Sequence, residues 1–339
     1  MFCMSWDHTG QEIASQVTAW RDAHNAVTIA GDSVQRLWQS GGYETVVFTG
    51  CGSTYYLALT AASLFQQATG VISRAAPSSE LLLHPDMIYG RGKTLLVAIS
   101  RSGATTETIR AAEQFTAQAR GDILVISCYA DKPLNRFATI SLTAAAGQER
   151  SVAQTRSFSS MLIMAEGLAN IVVGASLPGQ FPEEAEAVVS AMRDQAAAFA
   201  DPSRYRRIYY LGSGALYGLA CEAMLKMKEM SLTSSEAFHP MEFRHGPKSM
   251  VDEQTLIVGL LDKHAYDSEA AVLEEMSRLG AGVVSLSPHA ATDITLNGFQ
   301  QRPSLVHYMP FLQWLAYLRA VNKGLNPDTP RHLDQVVIL

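Results

Sequence analysis

One segment of this chain occurs twice. Val46-Val47-Phe48-Thr49-Gly50-Cys51-Gly52-Ser53-Thr54-Tyr55-Tyr56-Leu57-Ala58 aligns without gaps on Ile208-Tyr209-Tyr210-Leu211-Gly212-Ser213-Gly214-Ala215-Leu216-Tyr217-Gly218-Leu219-Ala220. Both copies read as an apolar strand, a Gly-x-Gly turn and the start of a helix, which is the pattern of a βα unit. Short apolar alignments also arise between unrelated βα units, so the repeat alone leaves open a duplicated domain or a shared local pattern. The copies differ at the turn, where Ser53 and Thr54 become Ala215 and Leu216. Only the first copy offers hydroxyl donors to an anion.

The remaining chain extends the alternation. Strand candidates are Thr45–Thr49, Thr94–Ser100, Asp122–Ser127, Arg207–Leu211, Thr255–Leu261 and Gly282–Leu286. Their near-continuous apolar character is what parallel strands covered on both faces require. Helical patterns run over Ser53–Ala68, Thr105–Ala119, Ser157–Val173, Glu183–Ala200, Leu216–Met230, Asp267–Leu279 and Pro310–Lys323. Strands alternating with helices imply an α/β fold built on parallel sheet. With 339 residues, 47% of them hydrophobic, the chain can bury two cores of about 100–200 residues each. The Leu177–Pro182 segment, or the Asp201-Pro202-Ser203 turn, is the expected divide.

Composition excludes several partners. The net charge is −6 with scattered basic residues, so no basic stripe is offered to nucleic acid or to an anionic membrane. The longest apolar runs, such as Leu95–Ile99 and Leu256–Leu261, fall far short of the ~20 residues that span a bilayer. No basic segment followed by an apolar stretch opens the chain, so no signal peptide is read. Cys3, Cys51, Cys128 and Cys221 are far apart, without metal or disulfide spacing. A soluble, cytoplasmic protein is expected.

Two regions carry candidate chemistry. After Thr94–Ser100 the chain reads Ser100-Arg101-Ser102-Gly103-Ala104-Thr105-Thr106-Glu107-Thr108 and turns helical. Unpaired amides and the positive dipole of a helix start suit a phosphate, and hydroxyls add donors. The Gly50–Thr54 turn faces the same cleft if its strand is adjacent. Equally, Ser102 or Thr105 reads as an ordinary N-cap. In the second half, Glu222, Lys226 and Glu229 share one helix face, either as a solvated ion-pair set or as a charged stripe on a cleft. His239-x-x-Glu242-x-x-His245 lacks the metal signature and contains Pro240, so no metal is expected, and His245 beside Gly246-Pro247 reads as a positioned acid or base. Cys51 is a small turn-packing residue or an activated thiol.

These motifs, taken in order with Gln148–Phe158, Leu225–Ser231, Arg244–Pro247 and the tail Asn326–Leu333, resemble the SIS (sugar isomerase) domain family. The resemblance is to its double-SIS members, such as the isomerase half of glucosamine-6-phosphate synthase and glucosamine-6-phosphate deaminase. It implies two tandem SIS subdomains, each a five-stranded parallel sheet flanked by helices in a flavodoxin-like sandwich. Residues 1–30 would form an N-terminal helical segment, 31–180 the phosphosugar-binding subdomain, 181–325 the subdomain with catalytic base and dimer contacts, and 326–339 a tail. The resemblance also implies that Thr54, Ser100, Arg101, Ser102 and Thr105 bind phosphate, while Cys51, Gly52, Ser53, Val152, Ala153 and Gln154 line the sugar. Glu229 would move a proton between C1 and C2 with Lys226 at its side. His245 would open the sugar ring in the neighbouring subunit's site, making a homodimer with shared active sites the working unit. No cofactor is implied.

Two departures refine the expected activity. The synthase has an additional amino-terminal glutaminase domain, whereas only a short segment precedes Thr45 here. Glutamine is therefore not expected to supply ammonia within this chain, and Cys3 is incidental. Gln335 stands where the synthase-like tail carries a lysine that forms a Schiff base, and an amide cannot form that imine. Deamination of an amino sugar phosphate needs no such lysine, because the substrate carries its own nitrogen at C2. The expected reaction is glucosamine 6-phosphate, or a close analogue, to fructose 6-phosphate and ammonia. A fructosyl-amino-acid 6-phosphate deglycase is the alternative, and a non-catalytic phosphosugar-binding protein is the rival from another class.

Overall fold

The computed structural model of the chain describes residues 7–177, 181, 184–289, 291–296 and 304–336. Ten strands are found among them: β1 Thr45–Gly50, β2 Ile72–Pro77, β3 Thr94–Ser100, β4 Gly121–Ser127, β5 Ile140–Thr143, β6 Arg207–Gly212, β7 Ser234–Phe238, β8 Thr255–Leu260, β9 Gly282–Ser287 and β10 Ile294–Thr295. They form two five-stranded sheets, ordered β2-β1-β3-β4-β5 and β10-β9-β8-β6-β7. Every pairing is parallel. Read from its other edge, the second sheet repeats the order of the first, so the thirteen-residue repeat marks a duplicated α/β unit with the flavodoxin-like strand order.

The chain divides into two compact units. The first holds residues 16–149, 156–177 and 334–336 around β1–β5; the second holds residues 7–15, 150–155 and 181–333 around β6–β10, within the described residues. In the first unit, Val47, Leu96, Ala98, Ile123 and Val125 pack with Ala111, Ala112 and Phe115 of the Thr106–Ala117 helix. On another side of that unit, the Gln16–Gly41 helix meets the largely buried Arg156–Val172 helix, where Trp20 Nε1 donates to Ser159 Oγ at 2.8 Å. In the second, Leu211, Ile257 and Tyr209 pack with Val272, Leu273 and Met276 of the Tyr266–Arg278 helix.

The six strands legible as apolar runs, β1, β3, β4, β6, β8 and β9, are the inner ones, and β3 and β8 are buried along their whole length. The four others, β2, β5, β7 and β10, all lie at sheet edges. Their alternating or short exposure patterns explain why apolar continuity did not reveal them. Pro240 opens a single helical turn, Pro240–Phe243, at its first position, where no amide hydrogen is needed. The Leu177–Pro182 linker falls largely outside the described residues. Among the described residues no helix is long and apolar enough to cross a membrane.

The repeated turn has a steric cause. A Cβ on Gly50 would lie 2.6 Å from the Thr54 carbonyl carbon, and one on Gly212 would lie 2.6 Å from the Leu216 carbonyl oxygen. Each helix thus begins hard against the strand that feeds it. The second glycine of each turn, Gly52 and Gly214, sits at φ 56° and 53°, a region costly for other residues.

The start of the second unit is fixed by its far end. Asp328 accepts from His8 N at 3.0 Å, Thr9 N at 2.8 Å and Thr9 Oγ1 at 2.7 Å, satisfying donors at the start of the His8–Ala14 helix. Burial alone would raise the Asp328 carboxyl, but the bonds from Thr9 and His8 prevail and hold it below its usual range. Asp328→Asn turns an amide against these donors and should lower stability by about 1–2 kcal/mol at neutral pH. Because the folded pKa is depressed, the contribution is complete above the unfolded pKa and is lost as pH falls through the folded one. Urea melts of the two proteins should differ at neutral pH and converge once the pH has fallen below the depressed folded pKa. A difference that persists in acid would show that the charge is not what Asp328 contributes.

Candidate active site

β1 and β3 are hydrogen-bonded neighbours, with Thr49 beside Ala98, although their connections lead outward to β2 and β4. The gap between their carboxyl ends is a topological switch point, where open α/β sheets take ligands. The Gly50–Ser53 turn and the Ser100–Thr105 loop therefore stand side by side.

Each loop is closed by its own hydroxyls. Thr54 Oγ1 accepts from Cys51 N and donates to Cys51 O, both at 2.9 Å. Ser100 Oγ accepts from Gly103 N at 3.1 Å and lies 3.4 Å from Thr105 Oγ1, while Ser102 Oγ accepts from Ala104 N at 3.2 Å. Gly103 has φ +60°, and a Cβ there would meet Lys132 Cβ at 2.7 Å. Thr105 precedes the Thr106–Ala117 helix with extended backbone but makes no side-chain cap bond. The cap reading thus fails for Thr105, whose hydroxyl is directed at Ser100 instead. Thr54, Ser53 and Ser100 are buried, and Ser102 and Thr105 are half-buried.

Cys51 Sγ lies 3.6 Å from Thr108 Oγ1, which continues through Ser78 Oγ to Thr49 Oγ1 in steps of 3.1 Å. Burial pushes the Cys51 thiol up, with the Thr108 and Ser78 hydroxyls only partly offsetting it. A raised thiol is a poor nucleophile at neutral pH, which favours the packed turn residue of the two readings. Arg101 is buried: Nη1 lies 3.7 Å from Glu149 Oε2, and Nη2 donates to the Gln335 carbonyl at 2.8 Å. Glu149 also accepts from Ser157 Oγ. The guanidinium thus ties the tail to the loop after β3.

In the second unit, the corresponding switch point between β6 and β8 holds a carboxylate. Glu269 is 2% exposed and accepts from Ser213 Oγ and from Asp262 N at 2.7 Å. Burial raises its carboxyl, and these two bonds offset only part of that.

The Leu216–Ser231 helix presents the charged stripe. Lys226 is 1% exposed and Glu222 is fully buried, with Nζ 3.4 Å from Glu222 Oε1 and in direct contact with Glu229 Oε2. The solvated reading of this set is therefore wrong: one buried ammonium is shared by two carboxylates, and only Glu229 reaches solvent. His245 is exposed on the turn after Pro240–Phe243. Glu275 clamps that turn, accepting from Arg244 Nε at 2.7 Å and Lys248 Nζ at 3.1 Å. His239 stacks on Tyr217 with ring centroids 4.0 Å apart. Among the described residues no group of three His, Cys, Asp or Glu could hold a metal.

Val152, Ala153 and Gln154 lie on a strap of bends that belongs to the second unit. Glu12 accepts from Arg150 N at 2.6 Å, Ser151 N at 3.3 Å and Ser151 Oγ; Val152 N donates to Asp328 O at 3.1 Å; Gln313 Nε2 donates to Thr155 O at 3.0 Å. Sequence reading placed the loop residues but missed Glu12, Glu149 and Glu269, each of which has at least one partner remote in sequence.

The SIS domain family matches residues 43–171 and 203–298, one stretch over each sheet. The chain belongs to this family of phosphosugar isomerase and deaminase domains. It is 29% identical over 344 residues to a glutamine–fructose-6-phosphate aminotransferase (isomerizing) of Pyrococcus horikoshii, covering 96% of this chain and 57% of that protein. The chain thus spans little more than half the length of such relatives. It is 26% identical over 312 residues to a D-galactosamine-6-phosphate deaminase of Escherichia coli, covering 84% of this chain and 80% of the deaminase. A solved glucosamine-6-phosphate deaminase from Thermotoga maritima superposes with a TM-score of 0.79 at 25% identity, covering 98% of this chain and all of that one.

Lys226→Met should leave Glu222 buried beside Glu229 without a cation, at a cost of about 3–5 kcal/mol. Adding Glu222→Gln should recover part of the loss. Chemical denaturation of the two variants checks this, and a single variant as stable as wild type would show that the shared ammonium does not hold the stripe together.

Proposed function

We propose that the chain is an amino-sugar-phosphate deaminase/isomerase, with glucosamine 6-phosphate to fructose 6-phosphate and ammonia as the reference reaction. The observation that carries the reading is the hydroxyl-lined switch point of the first unit, whose Thr105 is not spent on capping its helix. Two named deaminases of amino-sugar 6-phosphates among the relatives support it.

In this reading Ser100, Ser102, Thr105 and Thr54 bind the phosphate together with the start of the Thr106–Ala117 helix. Arg101 joins them only by trading its bonds to Glu149 and to the tail. Cys51, Gly52, Ser53, Val152, Ala153 and Gln154 line the sugar. His245 assists ring opening, and Glu229 takes the C2 proton from the open-chain aldehyde. Returning that proton to C1 converts the intermediate enolamine into a C2 imine bearing a C1 hydroxyl. Water adds to the imine carbon and ammonia leaves, giving the ketose. Lys226 stands between the Glu222 and Glu229 carboxylates and pairs with both, which holds Glu229 in place. Gln335 offers no amine, so the enzyme forms no imine of its own.

Purified protein is expected to release ammonia and ketose from at least one 6-phospho amino sugar, and Glu229→Gln should abolish this while retaining binding. Borohydride added with fructose 6-phosphate should leave the protein's mass unchanged. Ammonia from fructosyl-amine phosphates alone would transfer the assignment to a deglycase. Tight 6-phosphosugar binding without ammonia from any substrate would make the chain a sensor.

A homodimer with shared sites follows from the same reading. His245 is exposed and flanked by Met241 and Met250, which are 51% and 53% exposed, an apolar border of the kind a second subunit covers. His245→Ala and Glu229→Gln, each inactive alone, should regain partial activity as a mixed dimer, in which one site keeps both residues. A verified but wholly inactive heterodimer would place both in one chain's site.

A further inference from the structure

The strap 150–155 has no helix or strand of its own, so its shape depends on what holds it. We infer that Glu12 is a positioning residue that fixes the sugar-lining backbone of this strap. The inference rests on the proposed reading, in which Val152, Ala153 and Gln154 line the sugar.

Glu12 is 4% exposed and is separated from the strap by 138 or more residues of sequence. Burying a carboxylate is costly unless several donors meet it. The strap supplies them: Arg150 N to one oxygen, and Ser151 N and Ser151 Oγ to the other. Two successive amides held by one carboxylate fix the peptide planes that lead into Val152. Asp328 O takes the next amide, and Asp328 also binds the start of the helix that carries Glu12. Helix, strap and tail segment are thereby closed into one ring of bonds within the second unit. Ser151 is wholly buried, so this face of the strap touches no solvent, and Glu12 acts through the strap rather than on a ligand.

Glu12→Gln keeps the size of the side chain but turns an amide group toward donors. The strap then loses bonds on one side, while the phosphate loops at β1 and β3 keep all of theirs. A merely structural role would weaken every ligand alike, whereas a positioning role weakens only contacts to the sugar. Titration calorimetry on the full chain should show glucosamine 6-phosphate binding about tenfold weaker in Glu12→Gln, with inorganic phosphate binding unchanged. Ser102→Ala should weaken both. If Glu12→Gln does not fold, Ser151→Ala removes one donor and should give about a threefold loss for the sugar phosphate alone. Equal losses for sugar phosphate and inorganic phosphate, or no loss for either, would overturn the inference. Wild-type protein that binds no 6-phosphosugar would instead overturn the proposed function on which it rests.

Discussion

Parallel pairing is the constraint from which the rest follows. A parallel strand is left at its carboxyl end and re-entered at its amino end, so every strand must be followed by a crossover that returns over a sheet face. Crossovers cover both faces, which is why β3 and β8 bury every residue. No side chain on such a strand is available to a ligand. Chemistry is displaced to the loops at the carboxyl edge, and the strand order leaves a gap there between the first and third strands of each sheet. In the first unit the Ser/Thr-rich loops after β1 and β3 fall at that gap.

Loops without secondary structure then need fixing, and here buried acids do much of it. Asp328, Glu12 and Glu269 each accept backbone amides from residues distant in sequence or from another element. A carboxylate has acceptor capacity for several donors and a charge that strengthens each bond. The same charge makes the arrangement unforgiving, since any lost donor leaves part of a buried ion uncompensated. The Lys226 stripe obeys a different balance: one buried ammonium pairs with the buried Glu222 on one side and with the partly exposed Glu229 on the other.

How far the sequence revealed this depended on the range of the interaction. Inner strands betray themselves by apolar continuity; β2, with Arg74 in its centre, and β7, with Glu236, do not, because an edge tolerates polar side chains. The Gly-x-Gly repeat was legible because its cause is local, a helix starting within van der Waals range of its own strand. Ser100, Ser102 and Thr105 were visible as a hydroxyl-rich loop, yet only the structure separates a cap from a hydroxyl turned into its own loop, since both need the same residue before the same helix. Glu222, Lys226 and Glu229 were placed on one face correctly, but whether that face was solvated or lined a cleft stayed open, because spacing gives the face and says nothing of what packs on it. Glu12 gave no signal, as its partners lie 138 and 139 residues away.

Comparison of the two switch points shows how duplicated units part company. By strand register, Ala98 and Gly259 occupy matching places, and Thr108 and Glu269 both stand ten residues beyond them. Thr108 reaches Cys51 after β1; Glu269 reaches Ser213, the residue aligned with Cys51 after β6. A short hydroxyl in the first unit thus becomes a long carboxylate in the second, and that carboxylate also takes the Asp262 amide. An anion entering the second switch point would meet a negative charge already bonded to the available donors. The hydroxyls lost from the second turn, Ser53 to Ala215 and Thr54 to Leu216, are consistent with this, because donors to an external anion have no use where an internal one is built in. A few differences at the turn and at a helix start thus distinguish the two edges without altering the sheet beneath them.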